Sequence, residues 1–339
     1  MKEDMKKFGA GATRRQVITV ITLVVMVWGV YYFTKLSAGY DGGEAVWVHI
    51  PASATADDVR DSLRTSLGNS FGSTVGNLWN GNVAASHGAY RIEPGEKAWA
   101  IARRIGKGRQ TPIKLTFNNL RTSDQLAERL GSVMEFSPDE FKAAMARIAE
   151  KEGIAAEELE AQFLPDTYEV YWTATPEELT EKIRDNYRRF WTDERQAKAK
   201  AEGLTPLQAS VLASIVEEES NRRDERGKIA RLYLNRLDKG MRLQADPTVK
   251  FATGDFAAKR ITGDMLKVDS PYNTYIYKGL PPGVIRLPEA ATIEQVISAP
   301  NHDYIYMCAR ADGSGYHDFT SSYSDHLTNA AAFRKAAYK

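Results

Sequence analysis

The sequence predicts an α+β protein: an N-terminal single-pass transmembrane helix at 17–35, a linker at 36–45, a small strand–helix module at 46–120, and a larger mixed domain at 121–339. Three observations carry that reading. An uncharged apolar run lies near the start of the chain. An extended–turn–helical pattern recurs after it. The remainder passes from helical periodicity to strand-like pieces punctuated by glycine and proline. With 339 residues the chain is long enough for two or three domains with a real core.

The apolar run is "VITVITLVVMVWGVYYF", Val17 to Phe33. It stands at the short end of the roughly 17–25 residues that cross a bilayer. Trp28, Tyr31 and Tyr32 lie toward its far end, where an aromatic belt sits. Lys2, Lys6, Lys7, Arg14 and Arg15 precede the run, and only Lys35 follows closely. The positive-inside rule then puts residues 1–16 in the cytoplasm as a short tail and everything beyond about residue 36 outside. A cleaved signal peptide is the rival reading. It needs a shorter apolar region, about 7–15 residues, and an A-x-A-like site, which "TKLSAGYDGG" does not offer.

The 45 basic and 44 acidic residues nearly cancel, to a formal charge of +1, which argues against a nucleic-acid-binding protein. A hydrophobic share of 43% and a charged share of 26% are those of an ordinary globular protein. The single cysteine, Cys308, excludes an internal disulfide; in the strand-like "YIYMCAR" it reads as a small core side chain.

"LSAGYDGGEA" (36–45) is small, polar and glycine-rich, the composition of a linker. Three copies of the extended–turn–helical pattern follow: "VWVHIPASATADDVRDSL", "YRIEPGEKAWAIARRIGKG" and the looser "IKLTFNNLRTSDQLAERL". The second copy resembles a LysM module, the small fold that binds N-acetylglucosamine polymers, at Tyr90, Ile92, Pro94, Gly95, Trp99, Ile101 and Ala102. The same residues also suit a plain strand–turn–helix unit. Residues 123–160 read as helices, with Ser137 and Glu140 forming a capping box. Residues 176–202 read as one charge-rich helix with Leu179, Ile183, Tyr187 and Phe190 on its apolar side.

A further helix opens at Thr205, with Pro206 at its first position and Gln208 completing a capping box. It carries Leu207, Val211, Leu212, Ile215 and Val216, then runs into Glu217, Glu218 and Glu219. At about 100° per residue, Glu219 continues the apolar side, Glu218 lies at its edge and Glu217 points largely away. A carboxyl on a buried face is costly to ionise, so its pKa rises, which is what a general acid needs. The competing reading is a solvated helix end, its acids paired one turn on with Arg222, Arg223 and Arg226.

Three more stretches read as site walls. They are "NRLDKGMRLQADPTV" with Gln244 and Asp246, "SPYNTYIYKGLPPGVI" with Asn273 and Tyr275, and "GSGYHDF" with His317. Amides beside aromatic rings suit sugars, whose apolar faces stack while their hydroxyls bond. Each stretch also has a reading as turn chemistry. No H-E-x-x-H, G-x-S-x-G or phosphate-binding glycine loop occurs, and the five histidines are scattered. Neither a metal nor a cofactor is expected.

Together "FLPDTYEV" (163–170), "ASIVEEES" (213–220), "NRLDKGMRLQADPTV" (235–249), "SPYNTYIYKGLPPGVI" (270–285) and "GYHDF" (315–319) resemble, in order, the endolytic murein transglycosylases of the YceG-like family. The family's apolar helix leads to E-x-E-[ST], whose second glutamate is catalytic. The resemblance therefore makes Glu219 the catalyst and Glu217 a supporting residue. It implies a bacterial inner-membrane protein with an extracytoplasmic catalytic domain at 121–339. Its activity would be cleavage between N-acetylmuramic acid and N-acetylglucosamine with a 1,6-anhydro product, setting glycan strand length beside peptidoglycan synthases. Gln244, Asp246, Asn273, Tyr275 and His317 would line the sugar cleft, although a structural hydrogen bond is an equal reading for His317. Two other functions stay open: a non-catalytic, membrane-tethered glycan-binding scaffold, and a hydrolase using Asp246 or Glu217 as second carboxylate. In one departure from the family, Val249-Lys250-Phe251 replaces Val-x-Tyr, which would alter one wall of the cleft.

Overall fold

The computed structural model describes residues 14–118, 120–258 and 260–337. Residues 1–13 of the expected cytoplasmic tail lie outside these. The chain forms two compact units. One contains the residues up to Ile113 together with Tyr171–Thr173; the other contains Lys114–Val170 and the chain from Ala174 on.

The first unit begins with helix α1 (Arg14–Ser37). Its segment Gln16–Ser37 is long and apolar enough to cross a membrane, and none of it is buried by the protein. Strand β1 (Val46–Ile50) pairs antiparallel with β2 (Gly88–Ile92), Val46 facing Ile92 and Ile50 facing Gly88. The alternation of these strands sends Val48, Ile50, Tyr90 and Ile92 into the core. Helices α2 (Ala56–Leu67), α3 (Asn69–Leu78), α4 (Val83–Ser86) and α5 (Ala98–Gly106) complete the unit. Thr55 and Asp58 form a capping box that starts α2. At Gly72 of α3 a Cβ would lie 2.3 Å from the carbonyl oxygen of Leu63, so only glycine lets the two helices pack this closely.

The stretch expected to be a linker is in part built into this unit. Gly39 bridges Lys97, Tyr40 N–H donates to the Glu96 carbonyl at 2.9 Å, and Gly95 N–H donates to the Tyr40 carbonyl at 2.7 Å. Tyr40 joins the core. The glycine-rich composition suggested a loose tether, but the turn at 94–98 has backbone groups that need partners, and residues 38–40 supply them.

In the second unit β3 (Ile113–Phe117), which enters it at Lys114, pairs with β4 (Asp166–Val170). Helices α6 (Ser123–Gly131), α7 (Pro138–Glu152) and α8 (Ala156–Glu160) lie between them in sequence. The expected capping box of Ser137 and Glu140 starts α7. The single helix expected at 176–202 is two, α9 (Pro176–Phe190) and α10 (Asp193–Ala201). Trp191 turns into the core between them, and Thr192 caps α10 by accepting from Arg195 N–H. A continuous charge pattern hid that break, because both helices present charged faces to water.

The centre of the unit is α11 (Pro206–Glu219), capped by Thr205 and Gln208 as expected. Every residue from Ala209 to Glu217 is buried. The helix packs against α12 (Arg226–Asp238), α13 (Asp246–Thr253) and α14 (Ala290–Ile297). Small residues Ala209, Ser210, Ala213 and Ser214 leave room for these neighbours. A short 3-10 helix (Met265–Lys267) follows α13. Strand β5 (Tyr306–Ala309) pairs antiparallel with β6 (His317–Thr320), Ala309 opposite His317. Helix α15 (Tyr323–Ala337) packs on that hairpin.

Candidate active site

Because α11 is enclosed on all sides, its three acids end in different environments. Of the expected pairings with Arg222, Arg223 and Arg226, the one with Arg226 forms, to Glu217 at 3.6 Å, but not along one continuous helix. The helix stops at Glu219, and α12 starts afresh at Arg226. Arg222 instead donates to the Ser314 carbonyl, and Arg223 pairs with Glu289. Glu217 does not face water. It is 3% exposed, accepting from Glu289 N–H at 3.0 Å and Thr292 Oγ1 at 2.7 Å, with Arg226 and Arg286 3.6 and 3.4 Å away. Helix α14 covers the side of α11 that the single-face projection left to solvent. Glu218 is clamped by Arg121, whose Nε and second guanidinium nitrogen each donate at 3.0 Å, and by Arg286 at 2.8 Å.

Glu219 differs from both. Among the described residues no cation lies within ion-pairing reach of it, and its one hydrogen bond comes from the Tyr233 hydroxyl at 3.2 Å. Burial pushes its pKa from 4.5 up to about 7; the Asp246 charge adds to the rise, while His317, the Tyr233 hydrogen bond and Arg236 oppose it. Its place on the last turn of α11, at the negative end of the helix, also disfavours ionisation. Burial likewise holds the Tyr233 hydroxyl well above its usual range, so it stays a donor.

Glu219 lies in the wall of a cavity of about 420 Å3, a size suited to a small ligand or one or two sugar rings. Gln244, Asp246, Tyr275 and His317 share that wall with Tyr233, Arg236, Cys308 and Phe333. Four of the five cleft residues expected from the sequence therefore meet Glu219. Asp246 starts α13 and accepts from the Tyr275 hydroxyl at 2.6 Å. Gln244 has φ of 51°, the only positive φ of a non-glycine residue among those described. It is held there by its N–H to the Thr274 carbonyl at 3.2 Å and by Arg236, which donates to the neighbouring Leu243 carbonyl at 2.6 Å. Non-glycine residues with positive φ cluster at ligand clamps and active sites.

Asn273 is placed elsewhere. It is fully buried and its amide nitrogen donates to the carbonyls of Leu266 and Val268. Its side-chain oxygen accepts from Tyr275 N–H at 3.1 Å, so it positions Tyr275 from beneath. Phe251 is also off the cleft wall; it packs against Tyr272, ring centroids 4.7 Å apart and planes tilted by 45°. Cys308, expected in the core, is half-buried at the cavity, where burial raises its thiol pKa.

His317 is held by Glu225, which accepts from its backbone N–H and lies 2.8 Å from its Nδ1. That carboxylate sets the ring's tautomer with the proton on Nδ1. Sequence reasoning missed Tyr233, Glu225 and Phe333. Tyr233 sits in an apolar helical stretch and Glu225 in a charge run, where neither has a distinguishing signal. Among the described residues no three His, Cys, Asp or Glu side chains cluster as metal ligands.

Fold and site together define an α+β protein whose central buried helix delivers the Glu219 carboxyl to a polar, aromatic cleft. The chain belongs to the YceG-like family, whose sequence profile matches residues 48–332. A Bacillus subtilis (strain 168) protein named endolytic murein transglycosylase is 32% identical over 168 residues, 50% of this chain and 46% of that protein. A Streptococcus pneumoniae (strain D39) protein of the same name is 29% identical over 191 residues, 53% of this chain and 33% of that one. The matches thus span less than half the length of either relative. A crystal structure of a YceG-like protein from Listeria monocytogenes shares the fold, with a TM-score of 0.55 at 24% identity, covering 85% of this chain and 99% of that one.

Proposed function

We propose that this chain is a membrane-anchored endolytic lytic transglycosylase acting on peptidoglycan, with Glu219 as its one catalytic carboxyl. The observation that carries the reading is the placement of Glu219 in the cleft wall at the end of α11, bonded by Tyr233 and, among the described residues, with no cation in ion-pairing reach; burial there raises its pKa to about 7. Such a carboxyl is part protonated and part ionised near neutral pH and can serve as acid and then as base. Relatives named endolytic murein transglycosylase support the substrate class.

In the proposed reaction neutral Glu219 gives its proton to the oxygen joining N-acetylmuramic acid to N-acetylglucosamine, and the C1–O bond breaks. The muramyl 6-hydroxyl bonds to C1, and its proton returns to the Glu219 carboxylate. No water is consumed, and the product carries a 1,6-anhydro end. The substrate's acetamido group stabilises the cationic centre, which removes the need for a second carboxylate nucleophile. Tyr233 orients Glu219; Gln244, Asp246 and Tyr275 bind sugar hydroxyls and amides; His317, fixed by Glu225, forms the opposite wall. Asn273 acts by positioning Tyr275, and Glu217 by holding the end of α11.

The proposal extends to the organisation of the chain. Residues 1–16 would be cytoplasmic, 17–35 of α1 the anchor, 46–120 a LysM-like glycan-binding module and 121–339 the extracytoplasmic catalytic domain. Of the LysM-matching residues Tyr90, Ile92, Ile101 and Ala102 are buried and build the unit; Pro94, Gly95 and Trp99 are exposed, and Trp99, 49% exposed, would offer a ring to a sugar. An anchored cleft would meet nascent strands beside their synthases and limit their length.

Asp246 on the same wall as Glu219 favours one alternative, a two-carboxylate hydrolase. Mass spectrometry of ends released from purified glycan strands by the chain from residue 37 onward separates the readings. Anhydro ends that vanish with Glu219→Gln support the transglycosylase. Reducing ends one water heavier favour the hydrolase. Binding without cleavage leaves a tethered scaffold.

A further inference from the structure

The anchor joins its module without slack. Helix α1 ends at Ser37, and residues 38–40 are already paired with 95–98. Lys97 Nζ adds a bond of 2.8 Å to the Ser37 carbonyl. The last turns of α1 are therefore fixed against the unit they carry. They face α3 across a crevice of about 550 Å3, with Trp28, Tyr31, Tyr32 and Lys35 on one side.

The other side is made by one face of α3. Its Gly72, Val75 and Gly76 are buried, Gly72 directly against α2. At helical spacing the opposite face presents Asn69, Ser70, Ser73, Thr74 and Asn77, and these five line the crevice. A hydroxyl- and amide-rich stripe thus confronts an aromatic collar. Lys35 is the one charged side chain lining the crevice; its Nζ lies 3.4 Å from Ser70 Oγ and 5.9 Å from the Tyr31 ring centroid.

If α1 spans the bilayer, as in the function proposed above, its terminal aromatic residues mark the headgroup layer. The crevice then opens at headgroup depth, continuous with the acyl region along α1. We propose that it is a binding site for one anionic phospholipid headgroup: phosphate against Lys35 and the hydroxyls of Ser70, Ser73 and Thr74, glycerol or amide contacts to Asn69 and Asn77, and acyl chains along the exposed apolar side of α1. The occupant is a lipid rather than a soluble phosphate because half of the site is a membrane helix. It is anionic because the one charged group is a cation.

The full-length protein is reconstituted in vesicles of phosphatidylcholine and phosphatidylglycerol, floated, extracted in mild detergent and weighed by native mass spectrometry. The wild type is expected to float and to keep one phosphatidylglycerol in preference to phosphatidylcholine. Lys35→Glu should float equally and lower that retention by at least about fivefold, the worth of one lysine at an anionic surface, since the variant also adds a negative charge. Lys35→Arg should restore it, and Ser73→Phe, which fills the crevice, should abolish it. Floating with equal retention of both lipids, or with retention unchanged in Lys35→Glu and Ser73→Phe, overturns the site and leaves the anchor standing. Failure of the wild type to float overturns both.

Discussion

The raised pKa of Glu219 makes linked predictions for activity and stability. A general acid must be protonated in the free enzyme, so kcat/KM should fall as pH rises through about 7. For stability the sign follows from proton binding. Between pH 4.5 and about 7 the folded state holds a proton on Glu219 that the unfolded state has released, so stability declines with rising pH across that window. At about 1.4 kcal/mol per pKa unit, Glu219→Gln should be more stable than wild type at pH 8 by about 1–3 kcal/mol and no different at pH 4. Urea midpoints at the two pH values check this; a midpoint difference independent of pH would refute it. The same variant should lose cleavage by at least about 10²-fold. Gln244 is a second test. Gln244→Gly keeps the positive φ and removes the amide, so folding should change by no more than about 1 kcal/mol while glycan affinity falls. An equal loss of stability and affinity would make Gln244 a structural residue only. That Glu219 sits apart from Glu217 and Glu218 could be read from its helical phase, because it continues the side of α11 that carries Ile215. The strain at Gln244 could not, since φ there is set by hydrogen bonds to Thr274 and by Arg236 at the adjacent Leu243.

At the scale of the element, α11 shows where periodicity misleads. A projection that assigns one apolar side assumes water on the other, and α14 occupies that other side. Glu217 is consequently a buried ion-pair member with Arg226 and Arg286. Removing one partner of a buried pair leaves the others uncompensated. Glu217→Ala should therefore cost about 3–5 kcal/mol in denaturant unfolding, in contrast to the opposite sign expected for Glu219→Gln two residues on. Helix α15 is the other element with a consequence for the cleft. It brings Phe333, 39% exposed, to the cavity wall, one residue beyond the stretch matched by the family profile. A ring there can stack on a sugar face, worth about 1 kcal/mol. Phe333→Ala should raise KM for glycan roughly fivefold and leave kcat near wild type; a fall in kcat alone would place Phe333 elsewhere in the reaction. The strands of the three recurring copies stand where their alternation put them, because each buries one face. The split of α9 from α10 was not legible: a tryptophan that turns inward between two charged helices looks in sequence like one more apolar position.

For the whole molecule the order of segments was legible and their joins were not. Length and apolar composition were enough to find α1, since a helix long and apolar enough to cross a bilayer has the same signature in any sequence. Partition into compact units depends instead on contacts distant in sequence, so the return of Tyr171–Thr173 to the first unit left no trace in composition. The join after α1 has the larger consequence. A glycine-rich linker could be cut anywhere without effect on the fold it carries. Residues 38–40 instead close the turn at 94–98, and Tyr40 packs in the core beside Phe71. A soluble chain beginning at residue 38 keeps those contacts, whereas one beginning at 46 loses a buried aromatic ring and three backbone hydrogen bonds. Loss of a buried ring costs about 3–5 kcal/mol in a core, and part of that is recovered by relaxation at the edge of a small unit. The shorter chain should show amide exchange faster by at least about tenfold in β2 and α5. Exchange in α11 and α12, in the second unit, should be unchanged. Equal protection of β2 in the two chains would return residues 36–45 to the status of a passive tether, and would loosen the fixed geometry on which the headgroup site between α1 and α3 depends.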